Sequence, residues 1–283
     1  MDLIILHSEE FMKKYIRALT IAGSDSGGGA GIQADLKTFS ALGCFGMSAI
    51  TALTAQNTTT VTGIMEIHPE FVTKQIDAVL DDIGVDTVKI GMLSSPGIID
   101  AVAAALLKHS VSRIVLDPVM VSKSGDKLLL DVSIETLKTK LIPLAEIITP
   151  NIPEAEVLTS MAIHNRDQME AAARELLKLG PTAVLLKGGH FDDAQSPDCL
   201  VIKNDDKVDV HWLEARRVES PNTHGTGCTL SSAIAAYRGQ GYSILDAVTA
   251  AKRYITAAII AGADYHIGHG HGPVHHFHAL WRK

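Results

Sequence analysis

Cysteine is scarce in this chain: Cys44, Cys199 and Cys228 are the only three in 283 residues. They are far apart and form no C-x-x-C pair, which excludes a disulfide framework and fits a reducing, cytoplasmic setting. Basic residues are also in deficit, 25 against 32 acidic, for a net charge of −7. No basic face therefore points to nucleic acid. Long apolar runs are missing. The stretch Leu3-Ile4-Ile5-Leu6 falls far short of a signal-peptide core or a membrane span. There is no Gly-Lys dipeptide, hence no P-loop, and no His-Arg-Asp or Asp-Phe-Gly to mark a protein kinase. What remains, 46% hydrophobic and 20% charged, is the composition of an ordinary globular protein.

Strand-like and helix-like segments alternate along the chain. Short apolar runs at 18–22, 47–55, 86–90, 113–116, 146–149 and 183–187 read as strands, and 61–67 as a half-exposed one. Helical periodicity occupies 32–42, 70–83, 95–108 and 167–179, then two helices near 227–238 and 243–262. Segments 198–204 and 208–213 read as an antiparallel pair. The pattern predicts an α/β fold with a mostly parallel sheet and helices on both faces. No linker divides it, so residues 17–283 are expected to form one domain after an N-terminal extension of residues 1–16. In such sheets ligands bind at the carboxyl ends of the strands, and the polar residues there are the candidates.

The most telling stretch is Asn222-Thr223-His224-Gly225-Thr226-Gly227-Cys228-Thr229-Leu230. Two glycines and a threonine lead into an apolar helical run, and the free amides of a helix start suit phosphate. A thiol sits inside that turn, where a catalytic base is expected.

Other strand ends carry more ambiguous signals. Gly23-Ser24-Asp25-Ser26-Gly27-Gly28-Gly29-Ala30-Gly31 contains a loose G-x-G-x-x-A from Gly29 to Ala34. A dinucleotide site would want an acidic residue about twenty positions on, and Ser48 to Ala55 has none; a structural turn and a substrate-binding turn both stay open. Asp25 and Asp35 flank it, and Asp35 on the following helix is expected to face the same cleft. Thr149-Pro150-Asn151-Ile152-Pro153-Glu154 closes a strand and opens a helix. Glu154 there could hold Mg²⁺ through water, or Asn151 and Glu154 could simply cap the helix. Lys187, in Leu186-Lys187-Gly188-Gly189-His190, is either a point charge for a transferring phosphate or a solvated lysine. Gln56 is either a turn amide or a reader of a ring that offers both a donor and an acceptor.

His266, His269, His271, His275, His276 and His278 crowd the C-terminus. No Cys, no His-Glu-x-x-His and no carboxylate accompanies them, so adventitious nickel binding is the better reading than a physiological zinc site.

Taken together, these motifs resemble the ribokinase superfamily and, within it, the hydroxymethylpyrimidine (phosphate) kinases of thiamine biosynthesis. The resemblance runs from Ala18 to the C-terminus and also rests on Ala55-Gln56-Asn57-Thr58, Lys89-Ile90-Gly91-Met92-Leu93 and Leu116-Asp117-Pro118-Val119-Met120. It implies a three-layer α/β/α ribokinase-like domain that uses ATP and Mg²⁺. The implied reaction phosphorylates 4-amino-5-hydroxymethyl-2-methylpyrimidine and then its monophosphate. By similarity, Asp35 and Gln56 would bind the aminopyrimidine, with Gly23, Met92 and Val119 lining its pocket. Asn151, Glu154, Lys187 and Thr223 would serve ATP and Mg²⁺, and Gly225, Thr226, Gly227 and Cys228 would form the anion hole. The resemblance also implies a homodimer. Pyridoxal kinase of the same superfamily, or dual activity, is the rival; a nucleotide-sensing module without transfer chemistry is a third reading.

Most sugar kinases of the superfamily carry Asp where this chain has Cys228. A phosphate monoester is largely dianionic at neutral pH and needs no base. A carboxylate beside it would cost about 4 kcal/mol at 4 Å and an effective dielectric of 20. A neutral thiol avoids that repulsion, and the helix start is expected to pull its pKa below about 8.5 when a base is wanted.

Overall fold

Each strand is a short apolar run that stops at glycine, aspartate or proline, and that punctuation sets the architecture. The computed structural model describes residues 14–120, 131–189, 197–205 and 207–281. Most of the N-terminal extension and His190 lie outside the described residues.

In chain order the elements are β1 (Ile16–Asp25), α1 (Gly31–Ala41), β2 (Cys44–Gln56), β3 (Val61–Glu66), α2 (Pro69–Asp82) and β4 (Thr87–Ile90). Then come α3 (Pro96–Lys108), β5 (Ile114–Leu116), α4 (Asp131–Thr136), β6 (Ile147–Ile148), α5 (Ile152–Thr159), α6 (Arg166–Leu177) and β7 (Ala183–Leu186). The chain closes with β8 (Asp198–Asn204), β9 (Lys207–Leu213), α7 (Thr226–Gly239) and α8 (Ile244–Gly262). The nine strands form one sheet in the order β3-β2-β1-β4-β5-β6-β7-β8-β9. The central strands pair in parallel, while β3, β8 and β9 pair antiparallel at the two margins.

Alternation along the strands divides the core in two. Leu19, Ile21, Val88, Ile90, Leu116 and Ile148 face one way, against α2, α3, α5 and α6. Ala18, Val115, Ile147, Ala183 and Leu185 face the other way, against α1, α7 and α8. The result is the expected α/β/α sandwich. Fully burying each such Ile or Leu stabilises the fold by about 1.5–3 kcal/mol. The same alternation sends Lys89, Gly91, Asp117, Thr149 and Lys187 to the α7 side, most of them at or just past a strand end. The direction of the chain along the sheet reverses between β1 and β4, a topological switch point of the kind where ligands bind.

Two expectations need revising. Strand β3 is not half-exposed: beyond Val61 it is exposed throughout, because it is an edge strand and α2 covers only its inner neighbour, β2. Residues 131–144, between the strands expected at 113–116 and 146–149, are helical. They change from α to π to 3-10 geometry within fourteen residues, so no single period is sustained long enough to read.

Candidate active site

The site is assembled from two glycine-led helix starts that interlock. At the end of β1 the Asp25 carboxylate accepts hydrogen bonds from the amides of Gly27 (2.8 Å), Gly29 (3.0 Å) and Ala30 (2.8 Å). This winds the glycine turn into the start of α1. At the start of α7, Gly225 is left-handed with φ 78°. A Cβ there would sit 1.8 Å from the Gly29 carbonyl oxygen, so only glycine fits. The Gly31 amide, in turn, favours the charged form of the Cys228 thiol.

His224 locks the two turns. Its Nε2 lies 2.8 Å from Asp25 Oδ2 and 3.4 Å from the side-chain amide of Gln56. Its ring fills the space where a side chain on Gly29 would be. Burial works to raise the Asp25 pKa, but the bonds from His224 and the turn amides overcome it and hold the carboxyl below the usual range. The loose G-x-G-x-x-A is thus a stitched turn that leads into α1.

Helix α7 starts without a side-chain cap. Its first α-helical bond runs from the Thr229 amide to the Gly225 carbonyl (2.8 Å), and the Gly227 and Cys228 amides precede it. They face a cleft of about 750 Å³ whose walls include Val119, Asn151, Glu154, Lys187, Thr223 and the whole Gly225–Cys228 turn. That volume suits a nucleotide. Val218, Leu230, Ile255 and Ile259 give part of the wall an apolar surface. Within it, Lys187 Nζ stands 2.9 Å from Asp117 Oδ1, which also accepts from the Thr149 hydroxyl at 3.1 Å. The Ser231 hydroxyl donates to the other Asp117 oxygen at 3.3 Å.

Asn151 and Glu154 do form the capping box. The Asn151 side chain accepts from the Glu154 amide (2.9 Å), and the Glu154 carboxylate accepts from the Asn151 amide (2.8 Å). The carboxylate serves the cleft as well. Burial pushes its pKa up to about 7, with Lys187 opposing and Asp117 reinforcing the shift. Among the described residues no group of three or more His, Cys, Asp or Glu is set to hold a metal. Mg²⁺ asks for less, one or two carboxylates beside water and substrate phosphates. The pair Asp117 and Glu154 fits that demand.

The other predicted residues lie beyond the cleft. Gly23 and Met92 touch: a Cβ on Gly23 would meet the Met92 sulfur at 3.0 Å. Gln56 reaches the α7 turn through His224 and is tied to the end of β1 through Ser26 and Thr54. Asp35 does not face the cleft. It is wholly buried, with its oxygens held by Thr20 (2.6 Å), Lys89 (2.9 Å) and Ser232 (2.7 Å).

The expected pull on Cys228 is reversed. Burial pushes the thiol up to about 11, against the lowering effects of Lys89 and the Gly31 amide. Desolvation outweighs the helix end, and the thiol rests neutral. Asp25, Lys89, Asp117 and His224 were not singled out from sequence as site residues, although Asp117 stands at a strand's carboxyl end, where the fold rule directs attention.

A mostly parallel sheet, a nucleotide-sized cleft at its carboxyl ends and an uncapped, glycine-led helix start without a P-loop define a small-molecule kinase of the ribokinase-like type. The family described as phosphomethylpyrimidine kinase matches residues 25–275, and the chain belongs to it. A hydroxymethylpyrimidine/phosphomethylpyrimidine kinase of Salmonella typhimurium is 52% identical over 94% of this chain and 99% of its own. The crystal structure of a phosphomethylpyrimidine kinase from Clostridium difficile is 52% identical, with a TM-score of 0.76 over 86% of this chain and 99% of that one. A Staphylococcus aureus pyridoxal kinase in complex with ADP is 33% identical, with a TM-score of 0.85 over 95% of this chain and 96% of that one. The backbone is thus shared across both activities, and side chains must separate them.

Proposed function

We propose that this enzyme transfers the γ-phosphoryl group of ATP to the hydroxymethyl oxygen of 4-amino-5-hydroxymethyl-2-methylpyrimidine. A second ATP then phosphorylates the resulting monophosphate to the diphosphate, in thiamine biosynthesis. The observation that carries this reading is the neutral, half-buried Cys228 thiol in the uncapped, glycine-led start of α7. That position tolerates both an uncharged alcohol and a dianionic phosphate as acceptor.

In this reading the Gly227 and Cys228 amides, with Gly225 and Thr226 shaping their turn, hold the phosphoryl group as negative charge builds on it. Lys187, whose Nζ would lie 3.5 Å from a Cβ on Gly227, adds a point charge beside them. Asn151, Glu154 and Thr223 hold the nucleotide, and Glu154, with Asp117 behind it, would hold Mg²⁺ through water. Bound Mg²⁺ would neutralise phosphate charge. Gln56 presents one carboxamide to the amino group and ring nitrogen of the pyrimidine, with Gly23, Met92 and Val119 around the ring. Asp35 acts from beneath that pocket. Cys228 contributes position and neutrality rather than a resting thiolate. A loose transition state makes a strong base less necessary.

We assign this activity to residues 17–283, in a cytoplasmic homodimer. No helix among the described residues is long and apolar enough to cross a membrane. Pyridoxal is kept as an alternative substrate because the fold overlays so well on the pyridoxal kinase above. ADP release should be assayed with the pyrimidine, its monophosphate and pyridoxal side by side. Turnover of both pyrimidines with little on pyridoxal is the expected result, and turnover of pyridoxal alone would overturn the assignment.

A further inference from the structure

Lys89 is a buried cation with no role in the account so far. It lies on β4 between Val88 and Ile90, and its side chain is 0% exposed. Alternation turns it toward α1 and α7, and its partner there is Asp35 Oδ2 at 2.9 Å. An ammonium has three N–H donors. Among the described residues this is its one hydrogen-bond acceptor, whereas Asp35 accepts from three donors. The side chain also runs up the strand. A Cβ on Gly91 would meet Lys89 Nζ at 2.7 Å and Ala22 at 3.0 Å. Gly91 immediately precedes Met92, and Ala22 immediately precedes Gly23. The ammonium therefore packs against Gly91, one residue before Met92 of the assigned pyrimidine pocket. Cys228 and Asp117 both feel its charge, and at the thiol the effect of Lys89 exceeds that of Asp35. At the thiol Lys89 favours the charged form, and Asp35 and Asp117 oppose it.

Stability does not explain such a pair. Desolvating two charges costs several kcal/mol each, and replacing a buried ion pair with apolar side chains is often neutral or stabilising. A functional account starts from the acceptors. The alcohol brings no charge to the pocket, and its monophosphate brings about −1.5 to −2. The transferring phosphoryl group is the same in both steps. A fixed positive charge beneath the pocket therefore favours the second acceptor over the first.

We propose that Lys89 is a positioning and specificity residue, a buried charge under the acceptor pocket that lets it accept a phosphate monoester as well as an alcohol. This rests on the two-step reading above and names what makes its second step possible. Lys89 touches neither substrate; it acts through the field at Cys228 and the Gly91-Met92 turn.

The test compares kcat/KM for the pyrimidine and for its monophosphate in wild type, Lys89→Met and the double variant Lys89→Met/Asp35→Asn. The single variant leaves a carboxylate buried without its cation and is liable to unfold. The double variant removes both charges and retains the packing. Any contact of Asp35 with the ring is common to both acceptors and cancels in the ratio. The monophosphate-to-alcohol ratio should fall by about tenfold or more in the double variant, carried mainly by a raised KM for the monophosphate. A ratio within about twofold of wild type, with both activities present, would overturn the inference alone. A wild-type enzyme that turned over pyridoxal but neither pyrimidine would overturn the functional reading and this inference with it.

Discussion

His224 Nε2 and Asp25 Oδ2 stand 2.8 Å apart, across 199 residues of sequence. Asp25 organises the turn into α1 and His224 opens the turn into α7, so their contact holds the two helix starts in register. The same nitrogen is 3.4 Å from Gln56, which ties the amide assigned to the ring to the turn assigned to the phosphate. His224→Ala should lower kcat/KM on the order of a hundredfold, the scale of a small misplacement of the reacting groups. His224→Gln, which can still donate to Asp25, should recover part of it. Steady-state kinetics on both acceptors will show this, and an alanine variant with unchanged kinetics would remove His224 from the machinery.

Gly225 is the position where backbone geometry is least negotiable. Its φ of 78° and the 1.8 Å clash awaiting any Cβ mean that Gly225→Ala must push the Gly29 carbonyl aside. The Gly227 and Cys228 amides would move with it. Activity should fall on the order of a hundredfold or more, as when an oxyanion-hole donor is lost. The circular dichroism spectrum should stay native, since the clash is local.

Much of this was legible in the sequence for a definite reason. Strand ends marked by Gly, Asp and Pro located the ligand side of the sheet, and the Gly225–Cys228 turn read correctly as a helix start. Asp25, Lys89 and His224 were not legible because their meaning lies in partners far along the chain. Lys89 looks like an ordinary polar residue in a short strand until Asp35, 54 residues earlier, is seen beside it. The direction of the Cys228 shift was misjudged because the helix end can be read from sequence and the depth of burial cannot.

The C-terminal histidines hold the fold together. His276 Nε2 lies 3.0 Å from the Thr229 hydroxyl, and its carbonyl accepts from Tyr254 (2.6 Å). The Gly272 carbonyl accepts from the His224 amide (3.0 Å). Burial drives the His276 pKa down to about 3, with Lys37 and the neighbouring histidines adding to the effect. The unfolded chain binds this proton near pH 6.5 and the folded chain does not. Stability from this group is therefore complete above about pH 6.5 and is lost as pH falls below it. At pH 5 the loss is about 2 kcal/mol. His276→Gln should flatten that slope in denaturant titrations at pH 5 and 7.5, and an unchanged slope would rule out His276 as its source.

Gln56 is the residue that should separate the two vitamin kinases. Its carboxamide can match an amino donor and a ring-nitrogen acceptor at once, whereas pyridoxal has no exocyclic amine. Gln56→Met should cost about tenfold to a hundredfold on the pyrimidine, the scale of hydrogen bonds left unmade to a buried polar group. It should cost much less on pyridoxal. Equal losses on both substrates would mean that the side chain serves the turn, through Thr54, rather than the ring.

Cys228 brings the chemical argument to one atom. The thiol is neutral at working pH because burial holds its pKa at about 11. A carboxylate in the same place would be a better base for the alcohol acceptor and a worse neighbour for the monophosphate. Cys228→Asp should therefore depress the second transfer far more than the first. Repulsion of about 4 kcal/mol at 4 Å and an effective dielectric of 20 is ample for a hundredfold difference. Cys228→Ser retains neutrality and should keep the ratio of the two steps near wild type while slowing both. If aspartate slowed the two transfers equally, charge at this position would not govern acceptor choice. The burden would then pass to Lys89, whose double variant alters the same ratio without touching the thiol.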